Sequence, residues 1–372
     1  MTTLFRRLLL AYALASCVIP TAMAGARTVS PAVHAAGASA EEGHFAGNQG
    51  DTSPQSARRL LNLPEASRLW LAAATQGVIR LAAAGNAGSI AVLYPDIGEP
   101  YRSVFAKIIE GIEEKSQTKV SSYAVGNSFN PQAMSGELKR QEVKVVIALG
   151  RNGLKAANAL DKEIGIVTGG VLSVPEGEVR SGPILSLAPD PALLLGKLKS
   201  LSPQIQRVFV VYDSRQNGWL IKLAREAARV QGIELVAQEA ADLKTAVTIY
   251  QGFFSNADPK RDALWLPQDG TTVEESVVLP LVLQESWTKA ITVFSSNVSH
   301  VRRGVLFALY PNNLELGRNL AQSAQSVVNG GGNRGVLPLR SVQTAFNTRT
   351  ASHLGLTKSA TQQNFDLVFP EQ

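Results

Sequence analysis

Six groups of polar side chains recur at one kind of position in this sequence, just after a short apolar run. Asp96 and Glu99 follow Ile90–Tyr94, and Arg151 and Asn152 follow the run that ends at Leu149. Thr168 and Gly169 follow Ile164–Val167, and Asp213, Ser214, Arg215 and Asn217 follow Val208–Tyr212. Gln268, Asp269, Thr271 and Thr272 follow Ala263–Leu266, and Ser295, Ser296 and Asn297 follow Ile291–Phe294. What these groups offer is hydrogen bonding and charge pairing. Arg151 can fork onto a carboxylate, and Asp213 or Asp269 can meet an ammonium group. Tyr310, with Tyr94, Tyr101, Tyr212 and Trp219, can stack on a solute or line an apolar pocket. Each has a plainer role as well. Ser, Thr, Asn and Asp before a helix cap its orphan N–H groups, and aromatic rings pack in cores. Their shared position makes the joint case for a binding site.

Catalytic patterns are missing. There is no GxSxG elbow, no GxxxxGK[ST] loop and no HExxH, and His34, His44, His300 and His353 have no metal-ligand spacing. His300 alone lies near a strand end, where a surface or supporting role is usual. Gly330–Gly332 follows a helix and precedes a strand, so it reads as a helix cap and loop; a phosphate loop must precede a helix. With no nucleophile–base pair, binding fits better than catalysis, and neither cofactor nor metal is expected.

The elements that position these groups alternate regularly. Strands are expected at Ile90–Tyr94, Val120–Val125, Val143–Leu149 and Ile164–Val167, with helices at Tyr101–Lys115, Pro131–Gln141 and Asn152–Asp161 between them. A second round follows Ile184–Leu187. Its helices are 190–201, Trp219–Gln231, Asp242–Asn256 and Thr272–Glu285, and its strands Val208–Tyr212, Glu234–Gln238, Ala263–Leu266 and Ile291–Phe294. A strand at Val305–Tyr310, a helix at Asn313–Asn329 and a strand or hairpin at Val336–Phe346 close the chain. Near-continuous apolar strands alternating with helices indicate parallel sheets covered on both faces. The body therefore reads as two α/β lobes, 88–203 with about 295–330 and 204–294 with about 335–372. A cleft between lobes is a common ligand site.

The chain has 372 residues, 45% hydrophobic and 18% charged, and a net charge of +6. Its basic residues are spread along helices without interleaved aromatics, which argues against nucleic-acid binding. The one cysteine, Cys17, lies near the start, so the body has no disulfide, no thiol nucleophile and no cysteine-based zinc site. Residues 1–24 read as an export signal, with Arg6 and Arg7 before an apolar stretch too short to span a bilayer. Two endings are open. Ala22-Met23-Ala24 predicts cleavage before Gly25 and a soluble periplasmic protein. Leu14-Ala15-Ser16-Cys17 predicts a lipoprotein signal over 1–16, with a lipid on Cys17 as the one membrane attachment. Residues 25–53 read as a flexible linker, and 54–87 as a helical extension.

Several segments resemble a known family. They include IAVLYPDIGEPYRSVFAKIIEGI, VVIALGRNGLKAA, SLAPDPALLLGKLKSLSPQIQRVFVVYD, DALWLPQDGTTVEESVV and AFNTRTASHLGL. Over 89–358 the chain is similar to the solute-binding proteins of ABC importers with the type I periplasmic-binding fold, in the group that includes tryptophan and tyrosine binders. The resemblance implies a two-lobed α/β protein that closes on a small solute, an amino acid among the candidates, and docks on an inner-membrane ABC permease. It carries ligand contacts to Asp96, Arg151, Asn152, Thr168, Gly169, Asp213, Asp269, Thr271, Ser295 and Ser296. The chain departs from its relatives at Arg151, at Tyr212-Asp213-Ser214 and at Leu309-Tyr310-Pro311. A sensor or adaptor that uses the same fold without transport is the alternative.

Overall fold

Strand β1, Ile90–Pro95, is apolar throughout because its two faces serve different cores. Ile90 and Val92 pack with Phe105, Ile108 and Ile147, while Ala91 and Leu93 pack with Leu138, Val146 and Leu154. The computed structural model describes residues 89–370 apart from 100, 127, 175–181 and 333. The expected signal segment, Cys17, the linker and the helical extension lie outside the described residues.

Six strands form the first sheet. They are β1, β2 (Ser121–Val125), β3 (Val145–Leu149), β4 (Gly165–Val171), β5 (Pro183–Pro189) and β11 (Gly335–Leu339). Their order is β11-β5-β4-β3-β1-β2, and every pairing is parallel. Helices α1 (Tyr101–Ser116) and α9 (Asn313–Val328) cover one face through Phe105, Ile108, Ile112, Leu316 and Leu320. Helices α2 (Pro131–Arg140) and α3 (Gly150–Asn158) cover the other.

The second sheet holds β6 (Arg207–Tyr212), β7 (Glu234–Glu239), β8 (Asp262–Leu266), β9 (Thr292–Ser295), β10 (Phe307–Pro311), β12 (Val342–Asn347) and β13 (Leu367–Phe369). Its order is β13-β12-β10-β9-β8-β6-β7, with β12 antiparallel to β10 and the other pairings parallel. Helices α4 (Pro191–Leu201) and α5 (Ser214–Val230) share one core with it. Helices α6 (Leu243–Asn256) and α7 (Val278–Lys289) share the opposite one. Short helices α8 (Val298–Arg303), α10 (Thr348–His353) and α11 (Thr357–Thr361) complete the lobe.

Three crossovers join the sheets, at Asp190, at Asn312 and at Arg340–Ser341. They are bonded to one another: the Asp190 N–H donates to the Leu339 carbonyl at 2.8 Å, and the Asn312 N–H to that of Ser341 at 2.9 Å. The chain leaves the first sheet from the carboxyl ends of β5 and β11, and the second from the carboxyl end of β10. The carboxyl edges of both sheets therefore lie on the crossover side.

The structure differs from the sequence expectation in several places. Segment 336–346 is no hairpin: Leu339 serves the first core and Phe346 the second, so the two strands part into different sheets. Helix α4 belongs with the second lobe, since Leu194, Leu195 and Leu198 pack beside Val208 and Leu220. Strand β10 also stays in the second sheet, while α9 returns to the first. Helix α7 begins at Val278 rather than Thr272, because the Glu274 carboxylate takes the N–H groups of Ser276 and Val277 in a capping turn.

Helices α1 and α9 touch backbone to backbone. A Cβ on Gly111 would overlap the Leu314 carbonyl, and one on Gly317 the Ile108 carbonyl. Gly111→Ala is expected to cost about 1–3 kcal/mol or more by overpacking. Gly252, in α6 with nothing near its missing Cβ, should gain up to about 1 kcal/mol as Ala. Urea unfolding of both variants checks the pair; equal midpoints would contradict the close helix contact.

Candidate functional site

The second lobe gathers its predicted residues into one network. Asp213 is the N-cap of α5, accepting the Arg215 N–H at 3.0 Å. The Arg215 side chain returns to the same carboxylate through Nε at 3.0 Å and Nη2 at 2.6 Å, and Thr271 Oγ1 donates to it at 3.0 Å. Asp269 sits one strand end away. Its Oδ1 takes the N–H groups of Thr271 and Thr272, both at 3.0 Å. Its Oδ2 takes the Asp213 N–H at 2.7 Å and Asn217 Nδ2 at 2.9 Å.

A carboxylate has about four acceptor positions, and in both aspartates they are filled from within the protein. Neither has one left for the ammonium group expected from sequence. They brace the strand ends and fix the start of α5. Asp213 is held down to about 2, first by the Arg215 side chain, which with the Arg215 N–H, Thr271 and Gln216 outweighs the opposing effect of burial.

Ser295 and Ser296 are also turned inward and buried. Ser295 Oγ lies 3.2 Å from the Leu266 carbonyl and 2.8 Å from His300 Nδ1, and it accepts the Asn297 N–H at 3.0 Å. Ser296 Oγ accepts the indole N–H of Trp265 at 3.1 Å. His300 is buried rather than at the surface. Its Nε2 stands 4.0 Å from Glu275, so serine, histidine and carboxylate are aligned, but a buried hydroxyl gives no substrate access. Burial, with Arg303 adding to it, brings the His300 pKa down to about 4.

On the first lobe, Asp96, Glu99, Arg151 and Asn152 are exposed at the carboxyl edge. Glu99 is engaged by the hydroxyl of Ser103 at 2.6 Å and its N–H at 3.3 Å, so it steadies the start of α1. Arg151 and Asn152 lie in the first turn of α3, which starts at Gly150 rather than at Asn152. Strand β4 runs on to Val171, so Thr168 and Gly169 lie within it and are buried. The space a Gly169 side chain would need is filled by Leu320 of α9. Tyr310 is half-buried beside the crossover, its pKa raised by burial and by Asp366.

Gln216 and Trp265 complete the site and were not read from sequence. Gln216 bonds Thr271 Oγ1 at 2.9 Å and accepts the Gly270 N–H at 3.3 Å. Its position three residues after the Asp213 cap was the available signal, since Gln is favoured there in a capping box.

The chain is similar to known proteins. Residues 194–361 match the family of ABC transporter substrate binding proteins. The matched stretch runs from α4 to α11 and contains the whole Asp213–Asp269 network. A ligand-free, open substrate binding protein with adhesive properties from Clostridium difficile is 19% identical, with 72% of this chain and 94% of that chain covered and a TM-score of 0.51. An ABC domain in complex with L-Trp from Streptococcus pneumonia is 15% identical, with 75% and 99% covered and a TM-score of 0.47. A conserved domain protein from Vibrio cholerae O1 biovar eltor str. N16961 is 17% identical, with 75% and 98% covered and a TM-score of 0.46. No curated protein matches the chain. The likeness to the first of these structures shows the fold: two lobes, each a largely parallel sheet between helices.

Asp269→Ala leaves four donors without their acceptor and should destabilise the protein by about 3 kcal/mol or more; a urea midpoint within error of wild type would refute the brace. His300 is neutral in the folded state and must charge to follow acid. Its folded pKa of about 4 lies below the ordinary value of about 6.5, so stability present above pH ~6.5 declines towards pH ~4, by about 3 kcal/mol in full. Unfolding measured from pH 7 to 4 should show this slope, and His300→Gln should flatten it.

Proposed function

We propose that this chain is the extracytoplasmic solute-binding protein of an ABC importer. Two lobes close on a small solute between their carboxyl edges and present it to an inner-membrane permease. The observation that carries the reading is the set of three crossovers, two of them bonded to the third. They leave the lobes joined along one line beside the very edges where open α/β sheets bind ligands, the arrangement a hinge needs. The family match over 194–361 supports it. Among the described residues no helix is long and apolar enough to cross a membrane.

The solute class follows from what the edges offer. With Asp213 and Asp269 filled, the exposed charged groups include Asp96, Glu99 and Arg151 on the first lobe and Arg215 on the second, whose side chain is 70% exposed while it pairs with Asp213. Opposite charges on one edge suit a zwitterion, so an amino acid or a related small carboxylate is the proposed solute. Closure would be driven by contacts made only in the closed form.

A thermal-shift screen of the protein against amino acids, other carboxylates, sugars and nucleosides tests this. A cognate solute at a hundred times its dissociation constant should add about 2.7 kcal/mol of stability, and Arg151→Ala should weaken its binding by about 1.5–3 kcal/mol. A flat screen would remove the solute-binding reading and leave a sensor or adaptor that answers to a protein partner. Unchanged affinity in Arg151→Ala would take that residue out of the site.

A further inference from the structure

A cavity of about 360 Å³ lies at the other edge of the second sheet, where β9 and β10 begin. That volume is within the range of small-molecule sites. Ile291, Val293 and Leu306, all buried, line it together with Leu283 and Leu354. One wall is aromatic. Trp287, 42% exposed, stacks on His353 with ring centroids 3.8 Å apart and planes within 6°. His353 Nε2 is 2.8 Å from the Trp287 carbonyl. A carbonyl only accepts, so Nε2 carries the proton, and the two rings are pinned as one slab. The Arg349 guanidinium lies 5.6 Å from the Trp287 ring. Arg303 also lines the cavity, with Glu275 Oε2 at 3.9 Å as its carboxylate neighbour.

We infer that this cavity is a second binding site, for a small apolar carboxylate such as an aryl acid. The aliphatic lining and the Trp287–His353 slab take the ring or branched chain, and Arg303 meets the carboxylate in exchange for part of its contact with Glu275. Arg303 is the charged side chain among the lining residues, which sets the sign of charge the site accepts. Every lining residue belongs to the second lobe, so occupancy does not require the lobes to close. The inference is independent of the solute proposed for the carboxyl edges.

Fluorine NMR of the full chain with 4-fluorophenylacetate tests it, with the neutral 4-fluorophenylacetamide as control. The acid should bind saturably at one site of this kind and the amide should not. Arg303→Gln should weaken binding at least tenfold and Trp287→Ala should abolish it; both side chains are part-exposed, so the variants are expected to fold. Arg151→Ala should leave this binding unchanged. Absence of saturable binding, equal binding of the amide, or full affinity in both Arg303→Gln and Trp287→Ala would overturn the site. Loss in Arg151→Ala would overturn it too, because the acid would then sit at the carboxyl edge.

Discussion

The backbone contact between Gly111 and Gly317 fixes how the end of the chain meets its beginning. Helix α9 arrives some two hundred residues after α1, yet it covers the same face of the first sheet. Its Leu316, Leu320, Ala321 and Ala324 fill that core. Because both crossing residues lack a side chain, the helix axes approach until each backbone touches the other. Arg318 then reaches Glu114 at 2.6 Å across the seam, a half-exposed pair that adds direction more than stability. With α9 seated, β11 is delivered beside β5, and the two-residue link 340–341 carries the chain straight back to the second sheet. The three crossovers and the carboxyl edges beside them follow from where α9 sits.

The second lobe solves a different problem. Three strands end close together, each leaving backbone N–H groups unpaired. Asp213 and Asp269 supply the acceptors, and Gln216, Asn217 and Thr271 tie the loops to one another. Such a network is strong when complete and damaging when one member is lost. The result is a stiff, pre-shaped edge. The first lobe's edge is unlike it, with Asp96 exposed after β1 and Arg151 exposed in the first turn of α3.

Much of the fold was legible because parallel strands buried on both faces leave near-continuous apolar runs, as Val145–Leu149 does, and because Asp190-Pro191 marks a helix start so plainly. What escaped was long-range. Nothing local in 336–346 says that Leu339 and Phe346 serve different cores, and nothing in Glu274 says that its carboxylate delays α7. For the site, residue types and strand-end positions singled out Asp213, Asn217, Asp269 and Thr271, which the structure joins in one network. Their role was not readable, since a carboxylate with free lone pairs and one already filled look alike in a sequence. Gly169 and Ser295 misled for a related reason. Small residues at a strand end serve a ligand or a neighbouring helix equally well, and here Leu320 and His300 claim them.

The route of the chain also bears on the order in which the molecule can be completed. Synthesis delivers the amino-terminal strands first, but the part of the first sheet's face that α9 covers beside α1 stays open until residue 328 has emerged. The core that Leu316 and Leu320 complete must wait, together with the vacant edge of β5, while the whole of β6–β10 is made. The second lobe is likewise interrupted, since β12 and β13 come last. Neither lobe is a contiguous piece of sequence that can be finished before the other is begun. A chain cut short anywhere before α9 would carry an open apolar face and an unpaired strand edge, the two features that most readily draw unfinished proteins into aggregates.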